Sequence, residues 1–486
     1  MATASRRGHH QVTFAVLAAG VAAFALLQSL VIPVLTTVQH ELHTTQGAAT
    51  WVLTAYLLSA SIMTPILGRV GDMMGKERVF VGTLVALAAG SLLAAVASSI
   101  GVLIVARVIQ GIAGGMVPVA FGIIRDEFPA AKVSGAVGVL ASLTAVGAGL
   151  GIVLAGPIVD ALGYHWLFWL PMILTVVAAV AAVLFVPESP VRTPGRISWL
   201  PAVLLSAWLV ALLVALSEAP EWGWASGRIL GLLAAAAVLA GAWVLAEMRA
   251  ATPVIDMQMM RRTAVWTNNL VALLLGVGMY ATFAFLPEFV QTPSAAGYGF
   301  GASITRSGLM LLPSAVTMFF AGMFAGRLTR RLGGKALVVA GCAIGSAAMA
   351  ILAFAHGQEW EIYLSTAIMG IGFGLAFSAM SALIVSAVPP SQTGVASGMN
   401  ANIRTIGGSI GSAVMASIVT SQLEPSGLPQ ASGYTTGFAV MAAGLVLAAL
   451  AGLLIPSALG RRPGGELEHA ELAMVAGGTV AGDQGE

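Results

Sequence analysis

Two arginines stand where arginines are costly. Arg107 and Arg404 each interrupt a long apolar stretch, and an unpaired guanidinium in hydrocarbon costs at least about 2.5 to 3.5 kcal/mol. Each must therefore face a polar partner or a wet cavity. A fixed positive charge of this kind moves the proton affinity of a nearby carboxylate, and few carboxylates lie near apolar segments: Asp72, Asp126, Glu127, Asp160 and Glu288. A carboxyl in apolar surroundings holds its proton more tightly and titrates near neutral pH. Asp160 and Glu288 are the preferred candidates for carboxyls that gain and lose a proton on this ground, the alternative being solvated helix ends. Glu127 follows Arg125 and Asp126 and reads either as a relay or as a charged cluster at the membrane interface.

Other chemistries are missing from the sequence. No G-x-x-x-x-G-K-[ST] phosphate loop occurs, so ATP is not expected to drive the protein. His9 with His10 and His40 with His43 are short polar pairs without metal-site spacing, and the single cysteine, Cys342, excludes an intramolecular disulfide or a cysteine-rich metal centre. No cofactor and no metal are expected, and no Ser-His-Asp arrangement can be argued at membrane depth.

The elements that hold these residues follow from composition. Of 486 residues 58% are hydrophobic and only 9% charged, against about 25% charged in soluble domains; no globular surface can be built from so few charges. The 58 glycines suit helices that pack closely in lipid. The net charge of +2 is scattered, without a patch for nucleic acid. About 20 apolar residues cross the hydrocarbon as a helix, and fourteen such runs occur, among them Phe14 to Thr36, Trp51 to Leu67, Val102 to Ile124, Val137 to Val159, Trp199 to Leu216, Val265 to Val290, Val395 to Val419 and Gly437 to Ile455. The fold expected is all-α, a polytopic transmembrane bundle. Of the 22 Lys and Arg residues, only Arg228 and Arg306 fall in outer loops and only Arg107 and Arg404 within spans. That bias places both termini in the cytoplasm, in a cell membrane.

The chain also repeats itself. The segment from Leu57 (LLSASIMTPILGRVGDMMGKERVF) matches that from Leu311 (LLPSAVTMFFAGMFAGRLTRRLGGKALV), pairing Gly68 with Gly326, and QGIAGG from Gln110 matches MGIGFG from Met369. Two related six-helix halves are expected, residues 1–190 and 263–460, with two inserted helices in 191–262 and a disordered cytoplasmic tail from 461 to 486. Repeats of this kind build transporters whose halves rock about a site near the bilayer midplane.

Three motifs carry a family resemblance that covers all but the tail. G-R-V-G-D-M-M-G-K-E-R (Gly68 to Arg78) resembles motif A of the major facilitator superfamily, A-R-V-I-Q-G-I-A-G-G (Ala106 to Gly115) its motif B, and G-A-G-L-G-I-V-L-A-G-P-I-V-D (Gly147 to Asp160) its motif C. Y-H-W-L-F-W-L-P (Tyr164 to Pro171) resembles the aromatic run that follows. Their order and placement are similar to those of the fourteen-span drug:proton antiporters. The resemblance implies a latch at Gly68, Asp72, Gly75, Lys76 and Arg78, a part for Arg107 in proton transfer, and a gate at Gly147, Gly151, Gly156 and Pro157. Such exporters typically carry an acid in the middle of span 1, where this chain has Gln28, which cannot titrate.

The function implied is export of hydrophobic or amphipathic drugs or antibiotics in exchange for protons, by alternating access. A proton-coupled uptake symporter is the alternative, favoured by the missing span 1 acid and opposed by the motif C glycines; a sensor without transport is the third reading. Gln28, Tyr56, Met116, Tyr280, Phe283 and Arg404 sit on spans expected to line the central cavity, where adaptable methionine and aromatic surfaces suit bulky amphipaths. The partners expected are a lipophilic small molecule, protons and lipid, with a monomeric chain.

Overall fold

A computed structural model describes residues 2–44, 46–188, 198–250, 252–421 and 428–457. Their regular structure is helical, and fourteen helices are long and apolar enough to cross a membrane. Spans 1 to 6 are His10–Val34, Trp51–Met74, Lys76–Ala95, Ile100–Glu127, Ala130–Leu162 and Trp166–Phe185. Spans 7 and 8 are Trp199–Trp222 and Gly227–Arg249, and spans 9 to 14 are Thr263–Gln291, Ile304–Leu332, Gly334–Phe354, Glu359–Ser386, Pro390–Thr420 and Ala431–Gly452. The start of the expected linker at 191 and the tail from 461 lie outside the described residues.

Span 7 continues past the apolar run that defined it, from Leu216 to Trp222. Glu218 and Glu221 end the run by composition but not the helix, because charges are tolerated where a helix leaves the hydrocarbon. Gly75, with φ at 110°, makes the turn from span 2 into span 3 in a backbone region that other residues rarely enter.

Span 4 is not a uniform helix. Its α-helical segments Ile100–Gly111 and Met116–Glu127 are joined by a 3-10 segment, Ile112–Gly115. The Ile112 amide bonds Ile109 and Gln110 instead of Val108, and the Val108 carbonyl accepts from Ser59 Oγ of span 2 at 2.6 Å. The glycines here allow close approach: a Cβ on Gly111 would fall 2.4 Å from that of Ser59.

The internal repeat is written in these contacts. Arg107 Nε of span 4 donates to the Val52 carbonyl of span 2 at 3.1 Å, and in the second half Thr366 Oγ1 of span 12 donates to the Met310 carbonyl of span 10 at 3.0 Å. Likewise Ser59 bonds Val108 and Thr317 Oγ1 bonds the Ala367 carbonyl at 2.8 Å. The side chains differ while the bonded backbone positions correspond, so the two halves share one packing scheme.

Candidate functional site

At the end of the bundle that carries most of the basic loop residues, here the basic end, the halves are tied together. A Cβ on Gly68 of span 2 would stand 2.6 Å from the Gly394 carbonyl of span 13; its repeat mate Gly326 of span 10 meets Gly135 of span 5 at 2.9 Å. Arg125 of span 4 donates to the Val385 carbonyl and, at 3.0 Å, to Thr393 Oγ1 of the second half. Lys76, fully buried, lies 2.7 Å from Asp126 and 3.6 Å from Asp72. The Asp72 carboxylate rests against the first turn of span 13, where a Cβ on Gly394 would come within 3.2 Å of it; a helix N-terminus favours negative charge. Arg78 pairs with Glu188 at 3.0 Å in an exposed position, so it belongs to the surface of the first half.

The two seams between the halves are unequal. Spans 5 and 10 stay in contact from Gly135–Gly326 through Gly149–Ala315 to Gly156–Thr305 near the opposite end. Spans 2 and 13 touch at Gly68–Gly394 and Thr64–Gly398, then diverge around a cavity of about 330 Å³. The motif C glycines thus serve two faces: Gly147 and Gly151 pack on Ala25 and Ser29 of span 1, within one half, while Gly156 packs across the seam on Thr305. Pro157 lies inside the helix of span 5.

The cavity brings together Gln28, Tyr56, Arg107, Tyr280 and Phe283. Arg107 is wholly buried, its guanidinium 4.3 Å from the Tyr56 ring centre, with Nη1 donating to Gln110 Oε1 at 2.8 Å. Met116 and Arg404 are buried but are not among the lining residues; Arg404 stacks on Phe377 at 4.3 Å. Asp160 and Glu288 are exposed and Glu127 is half-buried at the C-terminal end of span 4, and none of the three lines the cavity.

Sequence reasoning missed two walls. Leu213, Leu216, Ser217 and Pro220 of the inserted span 7 line the cavity. This helix sits across the wide seam, with Ser217 Oγ 3.1 Å from Thr54 Oγ1 of span 2 and Trp224 Nε1, just past its end, donating to Ser417 Oγ of span 13 at 2.7 Å. Thr405, Ser409 and Ser412 of span 13 form the second wall; their spacing of four and three residues is a one-faced polar stripe readable in the sequence.

Comparison with known proteins agrees with this architecture. An MFS-type transporter of Mycobacterium tuberculosis is 29% identical over 412 residues, 82% of this chain; the chain spans 58% of that protein's length. The multidrug resistance protein B homolog of the same organism is 30% identical over 380 residues, 75% of this chain and 68% of that one. The tetracenomycin C resistance and export protein of Streptomyces glaucescens is 26% identical over 407 residues, 83% of this chain and 74% of that one. The crystal structure of a human organic anion transporter superposes with a TM-score of 0.67 at 16% identity, over 92% of this chain and 99% of that one, which speaks to the fold alone. The family profile matches residues 17–412, and with the fourteen apolar helices it makes this multi-pass membrane protein a member of the Major Facilitator Superfamily.

Proposed function

We propose that the protein exports hydrophobic or amphipathic compounds, drugs or antibiotics among them, in exchange for protons by alternating access. The observation that carries this reading is the unequal pair of seams: tied at the basic end, open around a cavity beyond it. With the basic end cytoplasmic, as the lysine and arginine bias favours, this is an outward-open state. Breaking the Gly68–Gly394 and Arg125–Thr393 contacts would admit substrate from the inside. Asp72, Gly75, Lys76 and Arg78 then belong to the cytoplasmic latch with Gly68, and Gly147, Gly151, Gly156 and Pro157 to the span 5 gate.

The cavity suits such substrates because its walls are mostly aliphatic and aromatic, with a few polar anchors. Names among the relatives, multidrug resistance and antibiotic export, support the same class. Asp160, Glu288 and Glu127 are the proposed proton carriers, acting from the span ends, with Arg107 as the fixed charge on the cavity side. The test is uptake of cationic, neutral and anionic lipophilic fluorophores into everted vesicles energised by a proton gradient. Uptake that Asp160→Asn or Glu288→Gln uncouples from the gradient identifies the carrier; no uptake of any probe refutes export.

A further inference from the structure

We infer that the cavity selects anionic or phenol-bearing aromatic compounds and disfavours cations, an inference that rests on the export reading and narrows it. The case begins with what surrounds Arg107. Its Nε is spent on the Val52 carbonyl and its Nη1 on Gln110, whose own Nε2 donates to Ser91 Oγ at 3.1 Å. Every one of these partners is neutral. Nothing in the network cancels the charge.

Among the described residues no carboxylate forms an ion pair with Arg107 or Arg404, and no Asp or Glu is among the residues lining the cavity. Two donors on residues of the wall, Arg107 Nη2 and the Tyr56 hydroxyl, are buried without a protein partner. Both residues line the cavity, the guanidinium carbon 4.3 Å from the centre of the Tyr56 ring. An anion entering here gains charge-assisted hydrogen bonds to otherwise unpaired donors, and its attraction to a poorly screened guanidinium is worth about a hundredfold in affinity at a separation near 5 Å. A cation meets the same factor as a penalty.

The facing wall fits the same chemistry. Thr405 and Ser409 donate to their own helix carbonyls at 3.1 and 3.2 Å, so they present lone pairs to the cavity, ready to accept from a phenolic or carboxylic hydroxyl. Tyr280 and Phe283 add aromatic surface. The membrane potential, negative inside, also favours anion export by about fiftyfold per 100 mV for each charge and opposes cation export equally.

Tetraphenylborate and tetraphenylphosphonium share one shape and carry opposite charges, which makes equilibrium binding of the pair to the purified full chain the direct test. The borate is expected to bind at least tenfold more tightly, Arg107→Gln to shrink that gap below threefold, and Gln28→Glu, which adds a carboxylate to the wall, to reverse it. If Arg107→Gln does not fold, Gln28→Glu still decides, since a misfolded chain cannot gain phosphonium affinity. Equal or tighter phosphonium binding by the unmodified protein overturns the inference, as does binding of neither ion by a chain that still transports. Either result in a working exporter leaves the export reading standing; a chain that transports no lipophilic probe at all brings down that reading instead.

Discussion

Gly68 and Gly394 meet backbone to backbone: a Cβ on the first would stand 2.6 Å from the carbonyl oxygen of the second, and a Cβ on the second 2.8 Å from that of the first. Overpacking a close contact costs about 1 to 3 kcal/mol, and here the strain falls on one conformational state, the one in which these halves touch. Gly68→Ala is therefore expected to shift the population toward opening at the basic end by roughly tenfold, 1.4 kcal/mol being a factor of ten. The readout is thiol labelling of Ser397→Cys, a buried position on the same turns of span 13, in a chain whose native Cys342 is buried. Faster labelling with the span helices intact is the expected result; unchanged labelling contradicts the latch.

Lys76 is the cation between two buried carboxylates, Asp126 at 2.7 Å and Asp72 at 3.6 Å, and its stem runs over Gly122, where a Cβ would fall 2.7 Å from Cδ. Removing one partner of a buried ion pair costs about 3 to 5 kcal/mol, because the remaining charge stays uncompensated. Lys76→Met is expected to lower the thermal midpoint well below that of Asp72→Asn, which keeps the Lys76–Asp126 pair. Adding Asp126→Asn to Lys76→Met recovers part of the loss. Melting curves in detergent check the order; equal effects of the two single changes contradict it.

The spans and the repeat were legible because a membrane helix announces itself by length and hydropathy, and because Gly68 and Gly326 sit in matched sequence. Their partners, Gly394 and Gly135, were not, since a contact between halves has no local signature. Arg107, Tyr56, Gln28, Tyr280 and Phe283 do meet at one cavity. Met116 was expected beside them, but it follows a four-residue 3-10 segment. At 3.0 residues per turn instead of 3.6, that segment rotates the following face by about 80°. Span 7 is legible as a span, but its place in the cavity wall is not, because an apolar run facing a cavity has the same composition as one facing lipid.

The paired bonds Ser59–Val108 and Thr317–Ala367 give the two halves a common test. Interhelical hydrogen bonds in membranes average about 0.6 kcal/mol, with a maximum near 1.7, and changes at independent sites add. Ser59→Ala and Thr317→Val are each expected to destabilise by about 0.5 to 1.5 kcal/mol, and the double variant by the sum. Ser59→Ala is expected to cost more, because the 3-10 segment leaves Val108 without its usual helical donor and an unpaired carbonyl is costly in hydrocarbon. Chemical denaturation in mixed micelles measures both effects; a Thr317→Val loss that exceeds the Ser59→Ala loss contradicts the account.

Span 7 and the residues just past it bridge the wide seam with a side-chain hydrogen bond on each side, Ser217 with Thr54 and Trp224 with Ser417. The hydroxyl oxygens of Thr54 and Ser217 are 3.1 Å apart, so cysteines at these two positions are expected to form a disulfide when oxidised, without competition from buried Cys342. If span 2 moves against span 7 as the halves rock, that bond holds the cavity in its present shape. Transport by Thr54→Cys/Ser217→Cys is then expected to fall at least tenfold on oxidation and to return on reduction, with each single variant unaffected by oxidant. Full activity in the oxidised, demonstrably crosslinked protein would show instead that the inserted hairpin travels with the first half as one body, and the moving seam would then have to lie between Trp224 and Ser417.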